Sequence, residues 1–146
     1  MEGTLIRLGK KYTFTSAHRL YSPALSEARN KEIYGKCANP FGHGHDYDVE
    51  VTVEGETDRV TGRVVDLRIL DALLEAEVLS RYRYKSLNSE MATVPTTENL
   101  ALEVQERLKA AWTVAFGAAG PRLQRIRIWE TDRNICEIAE KNYADE

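Results

Sequence analysis

Residues 43–54 read His43-Gly44-His45-Asp46-Tyr47-Asp48-Val49-Glu50-Val51-Thr52-Val53-Glu54. Their odd-numbered positions carry two histidines, a tyrosine and valines, whereas most of their even-numbered positions carry acids. Because successive side chains of a β-strand point to opposite faces of a sheet, this alternation predicts a strand with one buried face. The same rule places His43 and His45 side by side on that inward face.

The chain before this strand alternates in the same way. Within residues 4–18 the even-numbered positions hold an apolar set that ends in a histidine: Ile6, Leu8, Tyr12, Phe14 and His18. Lys10 interrupts the pattern, and the odd-numbered positions are mostly polar. We therefore expect a half-buried strand whose inner face ends at His18. The polar segment from Tyr21 to Lys36 is predicted to be a long loop.

Two helices are predicted after the second strand. Asp66 is placed to cap the first helix, and Thr96 or Thr97 to cap the second after Pro95. Apolar residues recur at helical spacing in both: Leu67, Leu70, Leu74 and Val78, then Leu100, Val104, Leu108 and Trp112. The second helix is expected to end near Gly117 to Pro121, where helix-breaking residues follow.

Two further strands are predicted from Leu123 to Glu130 and from Ile135 to Lys141. The resulting order is strand, strand, helix, helix, strand, strand. It predicts an α+β fold, with an antiparallel four-stranded sheet and two helices inserted between strands 2 and 3 and packed on one face. The 146 residues suit a single domain spanning residues 1–146.

Charge and composition exclude several classes of partner. The chain has 20 Lys and Arg against 23 Asp and Glu, so it lacks the basic surface that binds nucleic acid. It also lacks an apolar run near the roughly 18 residues that span a membrane, and a signal-peptide pattern at its start. We expect a cytoplasmic protein without a membrane partner. Cys37 and Cys136 are too few for a disulfide framework and are interpreted as thiols.

The three histidines of the chain, His18, His43 and His45, all fall on predicted inward faces. Three imidazoles with an open fourth position describe a catalytic zinc site. Iron and nickel also suit imidazole ligands, and the competing interpretation is that one histidine packs in the core while two cap turns. The shared inward parity favours the metal site.

Two more residues have open interpretations. Cys37 lies in the glycine-flanked segment between Gly35 and Gly42 and suits a fourth metal ligand, a buried inert thiol, or a catalytic base beside the metal. Glu130 ends an apolar strand face. It is either a carboxylate that reaches solvent, or a pocket carboxylate that accepts two adjacent N–H groups of a flat ligand.

Five motifs follow one another along nearly the whole chain. They are Phe14-Thr15-Ser16-Ala17-His18-Arg19-Leu20, Gly35-Lys36-Cys37 through His43-Gly44-His45, Val65-Asp66-Leu67, Pro95-Thr96-Thr97-Glu98-Asn99-Leu100, and Trp129-Glu130-Thr131-Asp132. In this order and spacing the chain resembles the family of 6-pyruvoyl-tetrahydropterin synthase and 6-carboxy-tetrahydropterin synthase.

The resemblance implies the tunnelling fold (T-fold), in which subunits join through their sheets into a trimeric barrel and two trimers stack into a hexamer. It implies a homo-oligomer with active sites between subunits. It also implies Zn²⁺ on His18, His43 and His45, with Cys37 as catalytic base and Glu130 as anchor of the pterin ring. A last group is expected near the substrate: Thr96, Thr97 and Glu98.

The substrate implied by the resemblance is 7,8-dihydroneopterin triphosphate. The product is a 6-substituted tetrahydropterin, either the biopterin-type 6-pyruvoyl compound or the 6-carboxy compound that feeds queuosine synthesis. Basic residues near the predicted site are candidates to hold the phosphates: Arg19, Arg29, Lys31 and Lys36.

One departure from the family pattern concerns proton transfer. The family usually carries an Asp-His pair ahead of a Leu-Asn or Leu-Asp pair, and here the corresponding residues are Arg83 and Tyr84, followed by Lys85. Tyrosine has an ordinary pKa near 10 and donates more readily than it accepts. Three outcomes are open: Tyr84 or Lys85 replaces the histidine, the reaction stops at another product, or the protein is a catalytically altered or inactive pterin-binding homologue.

Overall fold

The computed structural model describes residues 3–138 and is built around one antiparallel sheet with strand order β1-β2-β3-β4. Its strands are β1 (Ile6–His18), β2 (His43–Gly55), β3 (Arg122–Trp129) and β4 (Ile135–Ile138). The predicted four-stranded antiparallel sheet is confirmed. Residues 139–141, which were predicted to extend the last strand, lie outside the described residues.

One face of the sheet forms the protein core. Phe14 of β1 lies opposite Tyr47 of β2, and Val49 of β2 lies opposite Ile128 of β3. These side chains are buried together with the apolar faces of the helices. Each fully buried side chain of this size contributes about 1.5–3 kcal/mol of hydrophobic stabilisation, so the period-two pattern determines which face of the sheet the helices cover.

Both helices predicted between strands 2 and 3 are present. Helix α2 (Leu67–Leu74) is capped by Asp66, whose side chain accepts the N–H of Arg68. It continues through a π-helical turn (Glu75–Leu79) and a last turn (Ser80–Tyr82). Helix α3 (Thr97–Phe116) is capped by Thr96, whose side chain accepts the N–H of Asn99. Its predicted apolar face is buried: Leu100, Val104, Leu108 and Trp112.

The predicted loop from Tyr21 to Lys36 is wrong, because it contains a helix, α1 (Glu27–Tyr34). Only Asn30 of this helix is buried, so no apolar stripe marks it in the sequence. Ser26 caps its start, and the Asn30 amide bonds to backbone groups of Ser22, Leu25 and Ser26. Polar capping therefore orders this segment without help from an apolar helix face.

Two short elements complete the described chain. A 3₁₀ turn (Gly35–Ala38) follows α1, and a one-turn helix (Leu87–Glu90) precedes α3. Among the helices of residues 3–138, none has both the length and the apolar character needed to cross a lipid bilayer.

Candidate active site

The three histidines meet at one end of the buried sheet face. His18 and His43 lie directly opposite each other in the β1–β2 ladder, and His45 lies opposite Ser16 two residues along. The ring centroids of His43 lie 4.7 Å from those of both His18 and His45, and the His18–His45 separation is 5.0 Å. One nitrogen from each ring lies within 4.8 Å of the other two. Strand register alone therefore assembles the group.

Gly42 permits this close approach at the start of β2. Its φ is +69°, and a Cβ added there would lie 2.9 Å from the backbone oxygen of His18. A side chain is therefore excluded both by the left-handed backbone and by the neighbouring strand. The glycine ahead of His43 is a structural requirement for placing His43 beside His18.

The protonation of His18 is set by its surroundings. Its Nδ1 lies 2.8 Å from the Pro95 carbonyl oxygen, which can only accept, so Nδ1 carries the proton and Nε2 keeps its lone pair. The side chain is buried, and this burial lowers the pKa of His18 despite the opposing effects of the Pro95 carbonyl and Glu130. The pKa of His45 is also lowered, chiefly by burial. Both effects favour the neutral imidazole that binds metals.

The nitrogen positions fit a divalent metal. The Nε2 atoms of His18 and His43 lie 3.1 Å apart. Two nitrogen ligands at about 2.0–2.1 Å in a tetrahedral zinc site are roughly 3.3 Å apart. The Nε2 of His45 is buried and has no hydrogen-bond partner. A metal bound by the three rings would use all three of these nitrogens.

Glu130 lies beside the histidines and not in solvent. It follows β3, and its side chain is only 15% exposed. Its Oε1 lies 3.7 Å from His45 Nε2 and its Oε2 lies 4.0 Å from His18 Nε2. The Thr97 hydroxyl donates to Oε2 at 2.7 Å. Of the two interpretations open from the sequence, the carboxylate that reaches solvent is therefore wrong.

Cys37 is held near the end of β1 by backbone contacts. The N–H of Leu20 donates to the Cys37 carbonyl at 2.8 Å, and Arg19 Nε donates to the Ala38 carbonyl at 3.0 Å. The thiol is half-buried. In the part of the chain that the structure describes, the cluster of potential metal ligands contains the three histidines and not the Cys37 sulfur.

A cleft of about 560 Å³ brings together the remaining predicted residues: Cys37, Thr96, Thr97, Glu98 and Glu130. Thr97 is buried beneath Glu130, whereas Glu98 is exposed in the first turn of α3. The Thr96 hydroxyl caps that helix. One α-helix start therefore supplies three consecutive residues to the wall of the cleft.

Sequence reasoning missed two residues at this site. Tyr47 is fully buried, and its hydroxyl lies 3.3 Å from His18 Nδ1. Burial raises the pKa of Tyr47, and the charges of Glu130 and Cys37 raise it further. Cys136 lines the same cleft, since it lies opposite the inward-facing Ile128 in the β3–β4 ladder. For both residues, the signal available in the sequence was the two-residue alternation of the strand, which places Tyr47 and Cys136 on the inward face.

Tyr84 stands where the family pattern has the histidine of its Asp-His pair. Among the described residues of a single chain, Tyr84 is not part of the cleft wall. Its side chain is 81% exposed and its φ is +57°. Its backbone N–H donates to the Thr15 carbonyl at 2.7 Å, and the Lys85 carbonyl accepts from Ala17 N–H and the Ser16 hydroxyl. The segment is thus fixed along the free edge of β1 while the tyrosine ring projects outward.

The proposed phosphate ligands are also outside the cleft wall. Arg19 packs over the Tyr21 ring, and Arg29 forms an ion pair with Glu32. The basic residue that does line the cleft is Arg133, in the turn between β3 and β4.

A family model described as 6-pyruvoyl tetrahydropterin synthase matches residues 7–141. The chain belongs to the 6-pyruvoyl tetrahydropterin synthase family. A 6-pyruvoyl tetrahydrobiopterin synthase from Poecilia reticulata is 42% identical over 127 residues, covering 84% of this chain and 82% of that protein. The Homo sapiens protein of the same name is 36% identical over 133 residues, covering 88% of each chain. Membership of this synthase family makes the chain a lyase of the same type.

The fold of this synthase family member also matches a solved structure. The 6-pyruvoyl tetrahydropterin synthase of Caenorhabditis elegans superposes with a TM-score of 0.84 at 34% identity, covering 94% of this chain and 97% of that one. The predicted T-fold is confirmed by this likeness.

Proposed function

We propose that this protein is a zinc-dependent lyase that converts 7,8-dihydroneopterin triphosphate into 6-pyruvoyl-tetrahydropterin. The observation that carries the proposal is the convergence of three imidazole nitrogens beside a cleft that also holds a thiol and a buried carboxylate. The relatives named 6-pyruvoyl tetrahydrobiopterin synthase support the pyruvoyl product over the 6-carboxy product.

His18, His43 and His45 are the proposed zinc ligands. The metal would supply Lewis acidity that polarises oxygens of the substrate side chain. The Pro95 carbonyl positions the His18 ring, because it holds the Nδ1 proton and directs Nε2 toward the other two histidines.

Cys37 is the proposed base, and its thiolate removes a proton from a carbon of the substrate side chain. Its position in the wall of the cleft that Glu130 also lines suits this role, since Cys37 is half-buried there. Loss of the proton then leads to triphosphate elimination.

Glu130 is the proposed pterin anchor. Its two oxygens suit the adjacent N–H donors of the pterin ring, in the same paired geometry with which a carboxylate binds a guanidinium. Thr97 fixes this carboxylate through its hydroxyl. Thr96 and Glu98 line the same wall and are proposed to contact the ring.

The proposed active enzyme is a homo-oligomer, a trimer or a hexamer, in the cytoplasm. Both outer strands support assembly through sheet edges, because β1 and β4 each pair with one neighbouring strand within residues 3–138. Near its end, the outer edge of β1 is bound by residues 84–86, since Tyr84 N–H donates to the Thr15 carbonyl and Ala17 pairs with Ser86. Tyr84 is exposed along this edge, and in the proposed oligomer it reaches the cleft of an adjacent subunit.

The test is an assay of purified, zinc-loaded protein with 7,8-dihydroneopterin triphosphate. The expected result is release of inorganic triphosphate together with a 6-pyruvoyl product. Release of a two-carbon aldehyde would instead indicate the 6-carboxy reaction. Absence of any product between about pH 6 and 9, where such an acid–base site titrates, would reject the lyase and leave the altered pterin-binding homologue. Substrate binding by that inactive protein would identify the altered homologue directly.

A further inference from the structure

A second cluster of chemically active side chains lies on the sheet face opposite the histidines. Strand register arranges it as three rows across β1, β2 and β3. They are Arg7–Glu54–Arg122, Gly9–Thr52–Arg125 and Lys11–Glu50–Arg127. Each outer row has a glutamate between two basic residues. The middle row has a threonine between a glycine and an arginine, so it lacks the carboxylate that its neighbours have.

The carboxylates of the outer rows are bound by arginines. Glu54 accepts from Arg7 Nε at 2.7 Å and from Arg122 Nη2 at 2.6 Å, and these bonds lower its pKa. Glu50 accepts from Arg127 Nε at 2.9 Å. In each outer row, a carboxylate of β2 therefore lies between basic side chains of β1 and β3.

The middle row has donors without acceptors. Thr52 is 4% exposed, and its Oγ1 has no hydrogen-bond partner. The Nε of Arg125 is likewise buried and unpartnered, although its terminal nitrogens lie 3.1 Å from Glu137 and 3.5 Å from Glu50. Buried donors without acceptors cost free energy, which a bound acceptor would recover.

A cavity of about 310 Å³ opens at this row, and its wall includes Gly9, Thr52 and Arg125. A Cβ at Gly9 would lie 3.4 Å from both Thr52 Oγ1 and Glu50 Cδ, so the glycine keeps a further side-chain atom from packing against the buried hydroxyl. Arg7, Arg127 and Glu50 also line the cavity, giving it an excess of positive charge among the described residues. Glu54 and Glu137 balance that excess from outside the wall, and Arg122 and Lys11 of the outer rows leave the surrounding cluster with more basic than acidic residues.

We propose that this cavity binds a compact oxyanion of the phosphate class. The Thr52 hydroxyl and Arg125 Nε donate hydrogen bonds to it, and Arg7 and Arg127 supply further positive charge. The anion takes the position in the middle row that Glu50 and Glu54 take in the outer rows. The cavity is at the small end of the range for ligand pockets, which suits an ion over an extended organic molecule. This site is independent of the proposed lyase reaction.

The test is calorimetric titration of the purified, metal-loaded protein with inorganic phosphate at low ionic strength. The expected result is saturable binding with one site per chain. Gly9→Ala, which narrows the cavity, and Thr52→Val, which removes the donor while keeping the shape, should each weaken binding at least about 10-fold. A matched control is Thr13→Val, since the Thr13 hydroxyl already donates to Asp48 on the exposed surface and should not affect affinity.

Three results would overturn the proposal. One is the absence of saturable binding up to about 10 mM phosphate, a concentration above which specific recognition is negligible. Another is unchanged affinity in both Gly9→Ala and Thr52→Val, which would place the phosphate elsewhere, including at the metal. The third is an equal loss in Thr13→Val and Thr52→Val. Metal content and thermal unfolding of each variant establish that it is folded, and the two cavity variants alter different groups.

Discussion

The Nε2 atoms of His18 and His43 lie 3.1 Å apart across the β1–β2 ladder, in directly opposed positions. Because Pro95 holds the proton of His18 on Nδ1, the Nε2 of His18 presents a lone pair to its neighbour. A shared cation would satisfy both nitrogens at once, and the unpartnered Nε2 of His45 would complete the set.

Replacement of His43 or His45 by alanine should abolish metal retention, because each variant loses one of three convergent ligands. Metal content after desalting, measured by elemental analysis, should fall from about one zinc per chain to near zero. Cys37→Ser is the control and should keep its metal, since its sulfur is outside the ligand cluster of the described residues. Full zinc occupancy in either histidine variant would refute the ligand assignment.

Gly42→Ala should destabilise the protein more than Gly62→Ala. Both glycines have positive φ, at +69° and +72°, but only Gly42 would bring a Cβ against the His18 carbonyl. Left-handed backbone strain alone costs about 1–2 kcal/mol, so we expect that loss for Gly62→Ala and about 2–4 kcal/mol for Gly42→Ala. Denaturant unfolding measures both values. Equal losses would mean that the contact with His18 relaxes freely.

Cys37→Ala should lower the catalytic rate by about 10²- to 10⁴-fold, the usual contribution of a positioned acid–base group. Cys136→Ala provides a matched control, because both thiols line the same cleft and only Cys37 is assigned the proton transfer. Rates are measured at saturating substrate, with zinc content checked in both variants. Equal activity of Cys37→Ala and the unaltered enzyme would remove Cys37 from the mechanism.

Tyr84→His should raise the turnover rate, because imidazole titrates near neutral pH and the tyrosine hydroxyl does not. Histidine also tolerates the positive φ of this position better than most residues. The rate–pH profile should gain an ionisation near neutral pH. Tyr84→Phe is the companion variant, which keeps the ring and removes the hydroxyl. An unchanged or lower rate in Tyr84→His would mean that the site has adapted to tyrosine.

The helices differ in how well local sequence patterns predict them. Helix α3 was predictable because its apolar residues recur every four positions behind a threonine cap and are buried as expected. Helix α1 was not, because it buries only Asn30 and shows no apolar periodicity. The Ser26 cap and Gly35 at its end were the remaining local signals. A polar helix that is held by local side-chain hydrogen bonds is not detected by a method based on hydrophobic spacing.

The two-residue alternation of β1 and β2 was readable in the amino-acid sequence, and with it the shared inward face of His18, His43 and His45. Alternation is a property of the backbone of each strand, so it needs no knowledge of neighbours. Only the tertiary structure placed Glu130 against His45 and Thr97, and brought Cys37 and Cys136 to one cleft. Those distances depend on strand register, helix packing and loop geometry, which join residues far apart in the chain.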